Sequence, residues 1–97
     1  MLKRMVKMTF QKDRIDDFLL IFENSKNLIR HFPGCQHLEL LHLEGQPEVM
    51  FTFSIWDSPQ ALETYRQSEL FQQTWRKTKV LFAEKPEAWS MGLVAEV

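Results

Sequence analysis

The 97 residues, 44% hydrophobic, 26% charged and 12% aromatic, make a single globular domain over 1–97 and leave no room for two. Twelve Lys and Arg against thirteen Asp and Glu give a net charge of −1; nucleic-acid binders carry a basic surplus, so no nucleic-acid partner is expected. The longest apolar run, Phe18 to Phe22, falls far short of the roughly 20 residues that cross a bilayer, so no membrane partner is expected either.

The amino-terminal stretch interrupts its apolar residues with Lys3, Arg4 and Lys7 and lacks the continuous apolar core of a secretion signal, which points to the cytoplasm. Residues 2–10 place Leu2, Val6, Met8 and Phe10 on one parity and read as a strand. Asp13 reads as the cap of a helix whose apolar positions 15, 18, 19, 22 and 29 form one stripe, with Asp16 and Asp17 at its start and Lys26 and Arg30 near its end as the helix dipole prefers. Pro33-Gly34 ends it. Residues 36–44 and 48–56, joined by Gly45-Gln46-Pro47, read as a hairpin of two strands. Ser58-Pro59 opens a second helix with a side-chain cap and a proline in the first turn, and Ser68-Glu69 looks like a further start, so a broken helix is expected over 59–83. After Pro86, residues 88–94 alternate as a last strand.

Strand, helix, strand, strand, helix, strand is the α+β ferredoxin-like arrangement, βαββαβ, a four-stranded antiparallel sheet with helices on one face. Its other face should then be polar in a monomer. It is not: Val49, Phe51, Phe53 and Ile55 share one parity of the third strand, and Met50, Thr52, Ser54 and Trp56 the other. Leaving Met50 and Trp56 wet would forfeit roughly 1.5 to 3 kcal/mol for each large side chain. With Cys35 the single cysteine, no internal disulfide can stabilise a core that hides only about 60 to 65% of the unfolded surface. A homodimer that packs two sheets together is therefore expected, the competing reading being that Trp56 sits at a strand end beside its own helices and that isolated exposed apolar residues need no explanation.

The segment Ser54-Ile55-Trp56-Asp57-Ser58-Pro59-Gln60-Ala61-Leu62, with Tyr65, Ser68-Glu69-Leu70-Phe71 and the turn Phe32-Pro33-Gly34-Cys35, resembles the antibiotic biosynthesis monooxygenase family. The resemblance implies a dimeric α+β barrel. It further implies a cofactor-independent monooxygenase that takes a small aromatic phenol or quinol and dioxygen, with a non-catalytic small-ligand binder or stress-related protein on the same fold as the rival. Two family positions differ: Tyr65 stands where a histidine is common on the second helix, and Ser54 where a glutamate often precedes the tryptophan. The histidine and asparagine of the haem-degrading branch match Trp75 and Val6 here, so haem breakdown is not expected.

Oxygenation of this kind asks the protein to favour the substrate anion and exclude water. The expected cavity lies between sheet and helices, with Phe22, Phe53, Trp56, Phe71 and Trp75 as candidate binding residues beside Val6, Met8 and Phe51. Tyr65 shares a helical stripe with Leu62 and is a candidate catalytic group, since a buried hydroxyl needs a partner. His42 is the second candidate; His37 has opposite parity, so at most one of the two faces the cavity. Arg66 is a candidate anion donor. Neither the histidines nor Cys35 form a metal-ligand spacing, so no metal is expected.

Overall fold

The computed structural model describes residues 1–97. The chain runs β1 (Leu2–Thr9), α1 (Ile15–Arg30), β2 (Cys35–Leu43), β3 (Gln46–Trp56), α2 (Pro59–Arg66), α3 (Glu69–Lys79) and β4 (Glu87–Gly92). All pairings are antiparallel in the order β2-β3-β1-β4, which is the ferredoxin-like topology. No helix is long and apolar enough to cross a membrane.

Several boundaries shift for identifiable reasons. Arg14, not Asp13, occupies the N-cap of α1, without a side-chain capping bond to a first-turn amide; its Nε donates to the Asp17 carboxylate, Oδ2, at 2.6 Å instead. The broken helix has two separately capped parts. Ser58 Oγ accepts from the Ala61 N–H at 3.1 Å and Ser68 Oγ from the Phe71 N–H at 3.2 Å, so each serine satisfies an amide that the first turn leaves open. The second part ends at Lys79 rather than 83 because the chain then returns to β1: Gln11 N donates to Leu81 O at 3.0 Å and Ala83 N to Thr9 O at 2.8 Å. The last strand stops at Gly92, short of 94.

Strand register decides which parity meets the helices. Leu2, Arg4, Val6 and Met8 of β1 stand opposite Trp56, Ser54, Thr52 and Met50 of β3. This is the face that α1, α2 and α3 cover. Met50 retains 6% of its exposure and Trp56 1%, so both are buried by their own chain, and the expectation that they need a second sheet is corrected. The uncovered face is the other one, where Met5, Phe51, Phe53 and Ile55 are only half-buried and Leu41, Trp89 and Met91 are exposed. Both parities of β3 are apolar, which is why alternation alone could not say which one the helices take.

Two clusters make the core. Met8, Phe10, Phe18, Met50 and Leu81 form one, and Cys35, Trp56 and Leu62 the other. The second is anchored by Gly34, whose φ of +91° suits glycine and whose backbone lies so close to α2 that an added Cβ would stand 2.6 Å from the Ala61 Cβ. Asp57 N donates to Gly34 O at 2.9 Å, locking this turn to the start of α2. Gly34→Ala is expected to lower stability by about 2 kcal/mol or more through strain and overlap. Gly92→Ala, which meets nothing within 4 Å, should change it by about 0.5 kcal/mol or less. Denaturant midpoints of the two variants measure the difference.

Candidate functional site

A cavity of about 340 Å³ lies between the helix-covered sheet face and all three helices, within the roughly 300–1,000 Å³ of small-molecule sites. Thirteen of its 22 lining residues are hydrophobic, so most of its wall offers packing and the few polar groups must set orientation. Each element contributes through its own period: β1 sends Arg4, Val6 and Met8, β3 sends Thr52, Ser54 and Trp56, and α1 adds residues from Phe18 to Ile29 on one stripe.

The aromatic wall is continuous. Trp56 and Tyr65 stack at 4.9 Å between ring centroids, Tyr65 meets Phe71 edge-on at 5.3 Å, and Phe71 stacks on Trp75 at 5.8 Å and 11°. Phe32 closes the back of this stack, edge-on to Tyr65 at 5.3 Å. Trp56 Nε1 donates to Ser54 Oγ at 3.0 Å, so the indole N–H is satisfied and the ring is fixed. Ser54, at the position where the resemblance implies a glutamate, is thus the acceptor that holds the tryptophan.

Of the sequence candidates, Phe22, Trp56, Tyr65, Arg66, Phe71 and Trp75 line the cavity together. Two candidates lie elsewhere. Phe53 projects from the opposite face of the sheet, where it meets the His37 ring edge-on at 5.8 Å; its odd parity puts it there. His42 has the right parity but pairs with Met50 near the hairpin turn, is exposed, and its Nδ1 contacts only the neighbouring Leu43 carbonyl at 3.3 Å. It is beyond the end of the cavity, whose β2 contribution is Leu38. His37 lies on the uncovered face against Glu39 at 2.8 Å.

Tyr65 is the polar group that the wall presents most directly. The break between α2 and α3 fixes it: its carbonyl accepts from Ser68 Oγ at 2.6 Å and from Ser68 N at 3.0 Å. No hydrogen bond inside the chain uses its hydroxyl, and no fully buried polar side-chain atom lacks a partner, so the hydroxyl is not fully buried, and Tyr65 lines the cavity. Burial, and secondarily the nearby Cys35, push its pKa well above the ordinary value. Tyr65 therefore stays protonated at neutral pH and is able to donate a hydrogen bond. Ser25 and Thr78, which also line the cavity, spend their hydroxyls on their own helices, on Ile21 O and Thr74 O at 2.8 Å each.

Arg4 is the residue that sequence reading passed over. Charged side chains at Lys3, Arg4 and Lys7 look alike along the chain, and only the even parity of Arg4, shared with Val6 and Met8, distinguishes it. Its Nη1 donates to Ser90 Oγ at 3.0 Å. Burial, and then the positive charge of Arg66, lower its pKa from the ordinary value, with Glu63 acting the other way. Cys35 is buried and its thiol is pushed up, chiefly by that burial, so it is inert at neutral pH. No group of three or more His, Cys, Asp or Glu side chains is placed to share a metal ion.

The sequence model of antibiotic biosynthesis monooxygenases matches residues 1–77. The chain belongs to the antibiotic biosynthesis monooxygenase family. Among solved structures, an antibiotic biosynthesis monooxygenase superposes with a TM-score of 0.92 at 19% identity, over 98% of this chain and 100% of its own. Rv0793 from Mycobacterium tuberculosis gives 0.89 at 14% identity over 98% and 96%, and PA3566 from Pseudomonas aeruginosa 0.85 at 16% over 97% and 94%. At these identities the likeness is one of fold. No curated protein matches the sequence at a significant level. The matched stretch ends within α3, so it includes every aromatic of the Trp56 to Trp75 wall.

The single tyrosine of the chain makes its ionisation directly visible. The tyrosinate band is expected to stay absent as pH rises through 10.0, the ordinary value, and to appear only on unfolding. Above that pH the unfolded chain loses the proton and the folded chain keeps it, so the unfolded state is favoured and stability falls by up to about 1.4 kcal/mol per pH unit. Tyr65→Phe should flatten this slope. A tyrosinate band appearing near pH 10 in the folded protein would contradict the desolvation of the Tyr65 side chain.

Proposed function

We propose that this family member is a monooxygenase of a small aromatic phenol or quinol that uses dioxygen without a resident cofactor, and that it works as a homodimer. The observation that carries the reading is the Tyr65 hydroxyl, protonated and without a partner in the chain, on an aromatic-walled cavity. In this reading a flat ring packs against Phe22, Phe71 and Trp75, which line the cavity, and the Tyr65 O–H donates to the ring oxygen. That bond strengthens as the oxygen becomes anionic, which favours the electron-rich form that reduces dioxygen. One oxygen atom then enters the ring, which becomes a quinone, and the other leaves as water; a phenol supplies all the electrons and both hydrogens. The apolar wall limits water access to the reactive intermediate.

The uncovered sheet face supports this assembly. Leu41 is 43%, Trp89 43% and Met91 42% exposed, around half-buried Met5, Phe51, Phe53 and Ile55. A contiguous apolar face of this kind needs a partner. Lys3 and Lys7 share it with Glu39 and Glu87, so two copies laid face to face can match opposite charges at the rim.

Oxygen uptake with a panel of naphthols and quinols tests the chemistry. Turnover is expected, with Tyr65→Phe reducing it roughly a hundredfold as the loss of one oxyanion donor does, and His42→Ala leaving it unchanged. Ligands that raise the melting temperature without any turnover would replace the enzyme by a non-catalytic binder. Light scattering at micromolar concentration should give twice 11.6 kDa, and Phe53→Glu should give a monomer; a monomeric parent protein would overturn the assembly.

A further inference from the structure

Arg4 and Arg66 stand together at one end of the cavity without enough negative charge around them. Both line it, and the positive charge of Arg66 is felt at Arg4, where Glu63 acts against it. Arg66 Nη1 has Glu63 Oε2 at 3.4 Å, a long and exposed pair. Arg4 has no carboxylate within ion-pair distance; its side-chain hydrogen bond goes to a neutral hydroxyl, Ser90 Oγ. Two guanidinium groups and one carboxylate leave a surplus of one positive charge on a partly desolvated wall.

The surrounding carboxylates do not cancel it. Glu87 reaches the rim of the cavity beside Pro86 and Ala88, but its register with Lys7 gives it the outer parity of the sheet, while Ser90 pairs with Arg4 on the inner one. The two stand three positions apart on the strand, about 10 Å along the sheet. A half-buried Arg beside a second Arg is unfavourable unless an anion joins them. Nothing else at this end of the cavity supplies one.

We infer that Arg4 and Arg66 hold a monoanionic carboxylate of the ligand, so that the molecule taken by the cavity is an aromatic acid. The charge count selects a monoanion over a phosphate dianion, and the planar guanidinium fork matches a carboxylate in two parallel hydrogen bonds. The position is consistent with the rest of the site. Arg4 faces Ser54 across the β1–β3 pair, Ser54 holds Trp56, and Trp56 carries Tyr65 on its face. The acid group at the arginines therefore lies beside the donor for the ring oxygen, and the ring extends toward Phe71 and Trp75. A hydroxylated aromatic acid presents both groups on one flat molecule. This inference deepens the monooxygenase reading and rests on it for the role of the ring, whereas the anion site itself requires no turnover.

Calorimetric titration with two ring-matched probes, 1-hydroxy-2-naphthoate and 1-naphthol, tests it. The acid is expected to bind roughly tenfold or more tightly than the naphthol, as a hydrogen bond to a charged group implies. Arg4→Gln and the more exposed Arg66→Gln should each remove most of that preference, and each should leave naphthol affinity within about twofold. Equal binding of acid and naphthol by the parent protein overturns the inference without any variant, as does an equal loss for both probes in the two variants. Tight binding of the acid with no oxygen uptake supports the anion site and refutes the oxygenase reading. Turnover of naphthol with no preference for the acid refutes the anion site and leaves the oxygenase reading standing.

Discussion

The stack of Tyr65 on Trp56 fixes the orientation of everything around it. Trp56 ends β3 with its ring between Phe32 and Tyr65 and its N–H bound to Ser54. Burying that side chain contributes about 2 to 3 kcal/mol, and it can be buried only if the even parity of β3 faces the helices. Side-chain alternation then leaves no freedom. Thr52 and Ser54 face the helices with Trp56 and line the cavity, and Phe51, Phe53 and Ile55 face away. The cavity wall and the apolar outer face are thus two consequences of one packing contact.

The polar groups of the cavity derive their properties from the same burial. A tyrosine set against Trp56 and Phe71 loses hydration, so its hydroxyl holds its proton more firmly than in water. Arg4 sits on the same wall and is shifted by desolvation in the opposite direction, because burial disfavours whichever form is charged. A donor that stays neutral and a cation with no carboxylate in ion-pair contact both line a mostly apolar space. On the proposed reading that asymmetry would orient a ligand, with its charged or oxygen-bearing edge toward Tyr65 and the arginines and its ring toward Phe71 and Trp75.

Much of this is legible in the residues because local chemistry and global topology agree. The Ser58-Pro59 and Ser68-Glu69 starts, the Pro33-Gly34 stop and the hairpin at Gly45 mark five of the seven elements with turn or cap residues. Asp13 misled because the α1 start carries no side-chain cap. Six of the eight candidate site residues meet in the cavity, and each of them has a consistent helical stripe or the strand-end position. Phe53 and His42 failed for different reasons. β3 is apolar on both faces, so parity did not identify the inner one. His42 has inner parity, but depth along a strand is set by where the helices end, which no single strand encodes. Arg4 was hidden because a charged residue on a strand is ordinarily read as solvent-facing.

The central claim, that the even-parity face of the sheet borders the ligand cavity and the odd-parity face does not, is open to one direct measurement. The chain carries five methionines: Met8 lines the cavity, and Met5 and Met91, in register with Phe53 and Lys3, lie on the opposite face. Methyl NMR spectra recorded while 1-naphthol is added should show the Met8 signal moving in a saturable way and the Met5 and Met91 signals staying in place. Movement of Met5 and Met91 with Met8 unchanged would put the ligand on the other side of the sheet and contradict the account.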